Sequence, residues 1–182
     1  GSTIQEAINH ANPGDTIFVH SGTYYENVVI DKSVSLIGEN RDSTIIDGGE
    51  TGNVIRVVAS YISIHGFTIR NSGRGYFDSG IYTELSKGND ISHNKIVNNN
   101  YGINLCLSRN NVVSDNAIYS NLNYGINLWG SSNNTIYHNN FFNNTQQALS
   151  DSINVWNYEG EGNYWSDYTG LDLNGDGIGD TS

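Results

Sequence analysis

The sequence predicts an all-β chain wound as a single-stranded parallel β-helix, and three observations carry that prediction. First, the stretch 80–150 can be laid over itself three times. Gly80-Ile81-Tyr82-Thr83-Glu84-Leu85 aligns with Gly102-Ile103-Asn104-Leu105-Cys106-Leu107 and with Gly125-Ile126-Asn127-Leu128-Trp129-Gly130, at offsets of 22 and 23 residues. A second column, 91–96 over 113–118 over 136–141, keeps the same register. Self-similarity at a fixed period means units that stack on their neighbours to bury a face none could bury alone. Second, the apolar positions alternate: Ile81, Thr83, Leu85 and Ile103, Leu105, Leu107 recur with the period of a strand rather than of a helix. Third, a unit this short has no room for two helices and a turn, and it carries Ile, Asn and Gly where leucine-rich repeats of similar length fix Leu.

The elements follow in order. Thr3-Ile4-Gln5-Glu6 has the capping-box pattern, with Ile4, Ala7, Ile8 and Ala11 at helical spacing behind it, so a short helix is expected over about 4–11. Asn12-Pro13-Gly14 stops it. A β-helix exposes strand edges and core at each end, and this helix is expected to cover the first. Strands are expected at 16–19, 27–30, 34–37 and 44–46, punctuated by Ser21-Gly22, Asp31-Lys32, Gly38-Glu39-Asn40 and Asp47-Gly48-Gly49. Residues 53–58 and 61–69 continue the stack, with Ile64 and Ile69 spaced like Ile91 and Ile96. Asn94, Asn116 and Asn139 form a column beside a bend. Amides one coil apart, about 4.8 Å, can bond to each other and to the backbone, and Asn also accepts the left-handed conformation of a tight bend. Beyond Ser150 the repeat dissolves. Trp156, Tyr158, Tyr164, Trp165 and Tyr168 are then expected to cover the second end. The whole of 1–182 reads as one β-helix domain, with a capping helix at 3–12, coils over 15–150, and an aromatic cap and tail over 151–182.

Composition narrows the function. A formal charge of −11 repels nucleic acid and anionic membrane surfaces and attracts cations. No apolar run approaches a membrane span. The single Cys106 excludes an internal disulfide and Cys-rich metal sites. An opening Gly1-Ser2 without Met is expected where a leading segment has been replaced. Asn133-Asn134-Thr135 and Asn143-Asn144-Thr145 match N-glycosylation acceptors, in keeping with an exported protein.

Chemistry-bearing positions fall into groups. On the outward side of the repeated Gly-Ile strand stand Tyr82, Asn104 and Asn127 in one column and Glu84, Cys106 and Trp129 in the next. Rings and amides in a shallow groove are what sugar rings require, so Tyr82, Glu84, Asn104, Asn127 and Trp129 are the candidate carbohydrate-binding residues. The segment 72–79 is longer than its counterparts in later coils and is expected to form one wall. Glycoside hydrolysis calls for two carboxylates, and only Glu84 sits on that strand, with Asp78 and Asp90 on turns. A lyase base could come from Arg74, Lys87 or Arg109, without an obvious Asp cluster to hold a cation. His93, Asp115 and His138 share a column, a set suited to Cu or Zn. Two coils separate the histidines by roughly 10 Å, so both would have to lean inward, and solvated or turn-bonded side chains are the simpler reading. In the tail, Asp172, Asn174, Asp176, Ile178 and Asp180 follow the ligand order of an EF-hand-type Ca²⁺ loop with Gly177 at its sharp turn, and resemble thrombospondin type 3 calcium repeats. The bidentate acid at position 12 is missing; Asp167 is a possible substitute.

Several of these stretches together resemble the parallel β-helix proteins with carbohydrate-binding and sugar-hydrolysis repeats, above all their NosD-type branch. The resemblance lies in the opening TIQEAINHANPGDTIFVHSGTYYENVVIDKSVSLIGEN, the repeats ISHNKI and GINL, and the ending GNYWSDYTGLDLNGDGIGDT. It implies a right-handed, pectate-lyase-like solenoid in an exported protein, often a module of archaeal cell-surface proteins. For NosD-type members it also implies copper delivery, and for other relatives polysaccharide binding or cleavage. The expectation is therefore an extracellular, non-catalytic module that binds glycan or acts as a rigid spacer. A polysaccharide lyase or hydrolase is the first alternative, and a copper carrier the second.

Overall fold

The computed structural model describes residues 3–170. Helix α1 (Ile4–His10) leads into the first coil, β1 (Thr16–Val19), β2 (Gly22–Tyr25) and β3 (Val28–Ile30). The second coil is β4 (Ser35–Gly38), β5 (Thr44–Asp47) and β6 (Ile55–Val57), and the third is β7 (Ser63–His65), β8 (Thr68–Arg70) and β9 (Ser79–Glu84). Then come β10 (Asp90–Ser92), β11 (Lys95–Val97) and β12 (Tyr101–Cys106), followed by β13 (Val112–Ser114), β14 (Ala117–Tyr119) and β15 (Tyr124–Trp129). The sixth coil is β16 (Thr135–Tyr137), β17 (Asn140–Phe142) and β18 (Gln146–Ser150), and β19 (Tyr164–Trp165) begins another. Each coil gives one strand to each of three parallel sheets, ordered β1-β4-β7-β10-β13-β16, β2-β5-β8-β11-β14-β17-β19 and β3-β6-β9-β12-β15-β18. The fold is the parallel β-helix that the repeat predicts.

Apolar columns from all three sheets fill the interior. Leu36, Ile64, Ile91, Val113 and Ile136 stack in the first sheet and Ile46, Ile69, Ile96, Ile118 and Phe141 in the second. Val28, Ile55, Ile81, Ile103 and Ile126 stack in the third. All of these side chains are buried. Strand β2 is an addition to the expected set, since Gly22 lies inside it rather than at a break. Its mostly exposed residues carry no alternating apolar pattern, so only the ladder with β5 makes it a strand.

The bends are held by ladders of amides running along the axis. The Asn94 and Asn116 side chains each donate to the Oδ1 of the Asn one coil further on, at 3.2 and 2.9 Å, and their backbone N–H groups donate to the same oxygens. Asn139 repeats the pattern onto Asn163. Parallel ladders run through Asn89, Asn111, Asn134 and Asn154, and through Asn99, Asn121 and Asn144. The left-handed conformation falls one residue earlier than the sequence reading placed it. His93, Asp115 and His138 have φ of 56°, 56° and 54°, while the asparagines after them turn inward. A left-handed residue swings the chain round, and the next side chain points into the core, where only a fully paired amide is tolerated.

Both described ends are covered. Ile4 and Ile8 of α1 are buried in the core. Thr3 and Glu6 form the expected capping box. The remaining free helix N–H groups find a partner the sequence did not announce. Ile4 and Gln5 donate to the two carboxylate oxygens of Glu26, at 2.9 and 3.0 Å. Replacing Glu26 by alanine is expected to cost about 1–2 kcal/mol, read as a lower urea midpoint with unchanged slope. At the other end Trp165 stacks on Phe141 with centroids 4.6 Å apart, and Trp156 packs on Trp165 at 5.7 Å. Among the described residues no helix is long and apolar enough to cross a membrane.

Candidate functional site

The third sheet carries a continuous outward column of Val29, Arg56, Tyr82, Asn104, Asn127 and Leu149, register by register. Two residues along, Glu84, Cys106 and Trp129 form the neighbouring column. All five candidate carbohydrate-binding residues therefore lie on one side of one sheet. They do not form the open groove expected of them. Tyr82 is 8% exposed, Asn104 0% and Asn127 4%, whereas Trp129 is 48% exposed.

The cover is the 72–79 segment, which lies across the face instead of beside it. The Phe77 ring sits 5.9 Å from Trp129, 6.4 Å from Tyr82 and 6.4 Å from Tyr101, bridging three successive coils. Tyr76 packs on Phe77 at 4.2 Å. Local bonds shape the arch: Asp78 Oδ2 accepts from the Gly75 N–H, and Asn100 Nδ2 donates to the Gly75 carbonyl. The Tyr76-Phe77 pair, aromatic within an otherwise polar insertion, was the available sign of a cover.

Beneath this cover the polar groups are unevenly satisfied. Asn127 Nδ2 donates to Asn104 Oδ1 at 3.1 Å. Asn104 Nδ2 and Asn127 Oδ1 are buried with no hydrogen-bond partner. Burial, with the Cys106 thiol and then the Glu84 carboxylate beside it, pushes the Tyr82 hydroxyl above the ordinary tyrosine range, so it stays protonated and able to donate. Tyr101 moves the same way, through burial first and then its tyrosine neighbours.

Glu84 is paired with Arg56 at 3.0 Å, a residue the sequence reading passed over because its coil is irregular. Asp78 is occupied by Gly75, and Asp90 lies in β10 on a different sheet. These three carboxylates are thus not gathered as an acid and base pair. Of the cations weighed for lyase chemistry, Arg74 lines a groove at another bend with Glu50 and Asn71. Lys87 and Arg109 stand one above the other past the ends of β9 and β12, beside Leu85 and Leu107, and the Lys87 ammonium lies over Tyr61.

The histidine column does lean together. His93 Nε2 is 4.0 Å from Asp115 Oδ2, and His138 Nδ1 is 3.6 Å from Asp115 Oδ1. The other His138 nitrogen meets Glu161 at 2.5 Å, tying that coil to the C-terminal segment. Among the described residues, no three His, Cys, Asp or Glu side chains are grouped to hold a metal ion. The calcium-loop pattern, Asp172, Asn174, Asp176, Ile178 and Asp180, lies outside the described residues.

Residues 12–170 match the family model described as "Periplasmic copper-binding protein (NosD)". Among curated proteins, a probable pectinesterase/pectinesterase inhibitor of Arabidopsis thaliana is 36% identical over 96 residues, 48% of this chain and 16% of the relative. A pectin methylesterase from Yersinia enterocolitica superposes with a TM-score of 0.60 at 19% identity, covering 77% of this chain and 54% of that one. A pectin methylesterase in complex with a hexasaccharide gives a TM-score of 0.54 at 15% identity, covering 83% and 63%. The chain thus spans under two thirds of each of these relatives, and at such identities the structural likeness is one of fold.

Proposed function

This chain belongs to the NosD family, and on that premise we propose that it is an extracytoplasmic β-helix module that binds a polysaccharide on the outer face of its third sheet. The observation that carries this reading is the cluster on that face: Tyr82, Phe77 and Trp129 as rings, with the Asn104 and Asn127 amides retaining unused hydrogen-bonding capacity among them. Sugars are bound by ring faces packed on aromatic faces and by hydroxyls paired with planar amides. Two further facts are in keeping. The family is described as periplasmic, and a solved structure of similar fold holds a hexasaccharide. We place the module on the binding side rather than the cleaving side because Glu84 is engaged by Arg56, and Asp78 and Asp90 do not join it as a second carboxylate.

Affinity electrophoresis in pectin, with reducing ends assayed in parallel, tests this. Retardation is expected, with no new reducing ends. Trp129→Ala should weaken binding about tenfold, about 1.4 kcal/mol, without lowering the melting temperature, since half of the ring is exposed. Migration unaffected by pectin would overturn the assignment, and new reducing ends would replace it with a lyase or hydrolase.

A further inference from the structure

We infer that Phe77 is a built-in plug on a hydroxyl-reading subsite: its ring holds the place of a sugar ring between Tyr82 and Trp129, above an amide pair whose two unused atoms match a sugar hydroxyl. The inference rests on the glycan reading of this face and adds to it both the chemistry of the ligand and the movement required to admit it.

The amide pair is the starting point. In the interior ladder Asn116 uses its capacity fully: Oδ1 accepts from Asn94, and Nδ2 donates to Asn139 and to the Ile91 carbonyl. Asn104 and Asn127, equally buried, do not. Their shared bond leaves one donor, Asn104 Nδ2, and one acceptor, Asn127 Oδ1. Turning both amides over leaves one donor and one acceptor again, so the pattern is independent of how oxygen and nitrogen are assigned. Buried polar groups left unpaired are costly, and a column serving stability alone would be cheaper as Leu or Val. A hydroxyl accepts and donates at once, whereas a carboxylate only accepts and an ammonium only donates. The subsite is therefore matched to the hydroxyl-bearing face of an uncharged sugar.

Phe77 supplies no partner to these atoms, and its ring spans from Tyr82 to Trp129 across the face that carries them. It is a flat ring of sugar size inclined 27° to Tyr82 and 39° to Trp129. Its own backbone is held at φ 72°, a conformation a bulky residue adopts only under constraint. Besides its aromatic contacts, the arch is joined to the coils by a few polar bonds, among them Gly73 N–H to the Gly52 carbonyl, Asn100 Nδ2 to the Gly75 carbonyl and Tyr101 N–H to the Asp78 carbonyl. A segment so attached can swing out while the coils beneath it keep their ladders.

Cys106, the only cysteine, reports the movement without any ligand. It is buried between Glu84 and Trp129 in the column beside the amide pair. In the full chain, Phe77→Ala is expected to raise the rate of Cys106 labelling by a thiol reagent at least tenfold, with little change in melting temperature. It is also expected to bind a fully methyl-esterified hexagalacturonide at least tenfold more tightly, because no ring need be expelled first. The double variant Asn104→Leu/Asn127→Leu should lose that binding while melting no lower than the parent. Equal labelling rates in parent and Phe77→Ala would overturn the plug. So would hexasaccharide binding by the parent that Phe77→Ala weakens, which would make Phe77 part of the platform. Faster labelling with no hexasaccharide binding in either protein would instead overturn the glycan reading, and the subsite with it. Preferential binding of the de-esterified hexasaccharide would overturn the hydroxyl assignment alone.

Discussion

Asn116→Ala is expected to destabilise the protein by about 3–5 kcal/mol, a large share of the total for a domain of this size. The side chain is almost wholly buried and joins three coils at once. Its Oδ1 accepts both the backbone N–H and the Nδ2 of Asn94, and its Nδ2 donates to the Ile91 carbonyl and to Asn139 Oδ1. Truncation strips the Asn94 N–H of its acceptor in a place water does not reach, and it opens a cavity where the amide stood. Equilibrium urea unfolding checks this, with Asn140→Ala as the control. Asn140 is exposed on a strand and sits just after a ladder residue, so its loss should cost well under about 1 kcal/mol. Equal effects at the two positions would mean that the ladders contribute little.

Gly102→Ala is expected to do comparable harm by the opposite route, through atoms added rather than removed. A Cβ there would strike the Gly125 carbonyl of the next coil and stand 3.0 Å from both Asn121 Nδ2 and Ile118 Cγ2. Gly80 and Gly125 are in the same position, with a Cβ 2.8 Å from the Gly102 carbonyl and 2.7 Å from the Gln147 carbonyl respectively. Backbone on one coil cannot retreat without breaking its ladder to the following coil. About 3 kcal/mol or more is expected, at the upper end for overpacking, with loss of thermal stability as the readout. Gly49→Ala is the contrasting case, since nothing lies within 4 Å of its would-be Cβ. Only the left-handed backbone at φ 60° opposes it, for about 1 kcal/mol.

These two substitutions also show which parts of the molecule the chain makes legible. Gly80, Gly102 and Gly125 recur because each coil repeats the same close approach, and Asn94, Asn116 and Asn139 recur because each coil repeats the same bend. A constraint repeated at a fixed period leaves a readable trace. Glu26 capping α1, Arg56 pairing with Glu84 and Glu161 meeting His138 are single events joining distant segments, and no period marks them. The left-handed residue was misplaced by one because Asn is the usual occupant of that conformation, while here His93 and Asp115 adopt it so that the amide can turn inward. The five candidate site residues were found together because strand alternation puts them on one face. The burial of Tyr82, Asn104 and Asn127 was not foreseen, because the insertion across that face has no counterpart in the later coils.

The amide ladders have a direction, and it makes the length of the solenoid adjustable. In each of the three ladders the backbone N–H of one Asn donates to the Oδ1 of its counterpart one coil further on. At the C-terminal end Asn154 and Asn163 provide such oxygens from outside the regular coils, and so act as terminators for whatever precedes them. Excising one whole unit, such as residues 103–125, would offer the same donors the same acceptors from the next coil along. The terminators impose one boundary condition, which any whole number of units satisfies. The length of the solenoid can therefore be tuned in steps of one coil, about 4.8 Å, without redesigning either end.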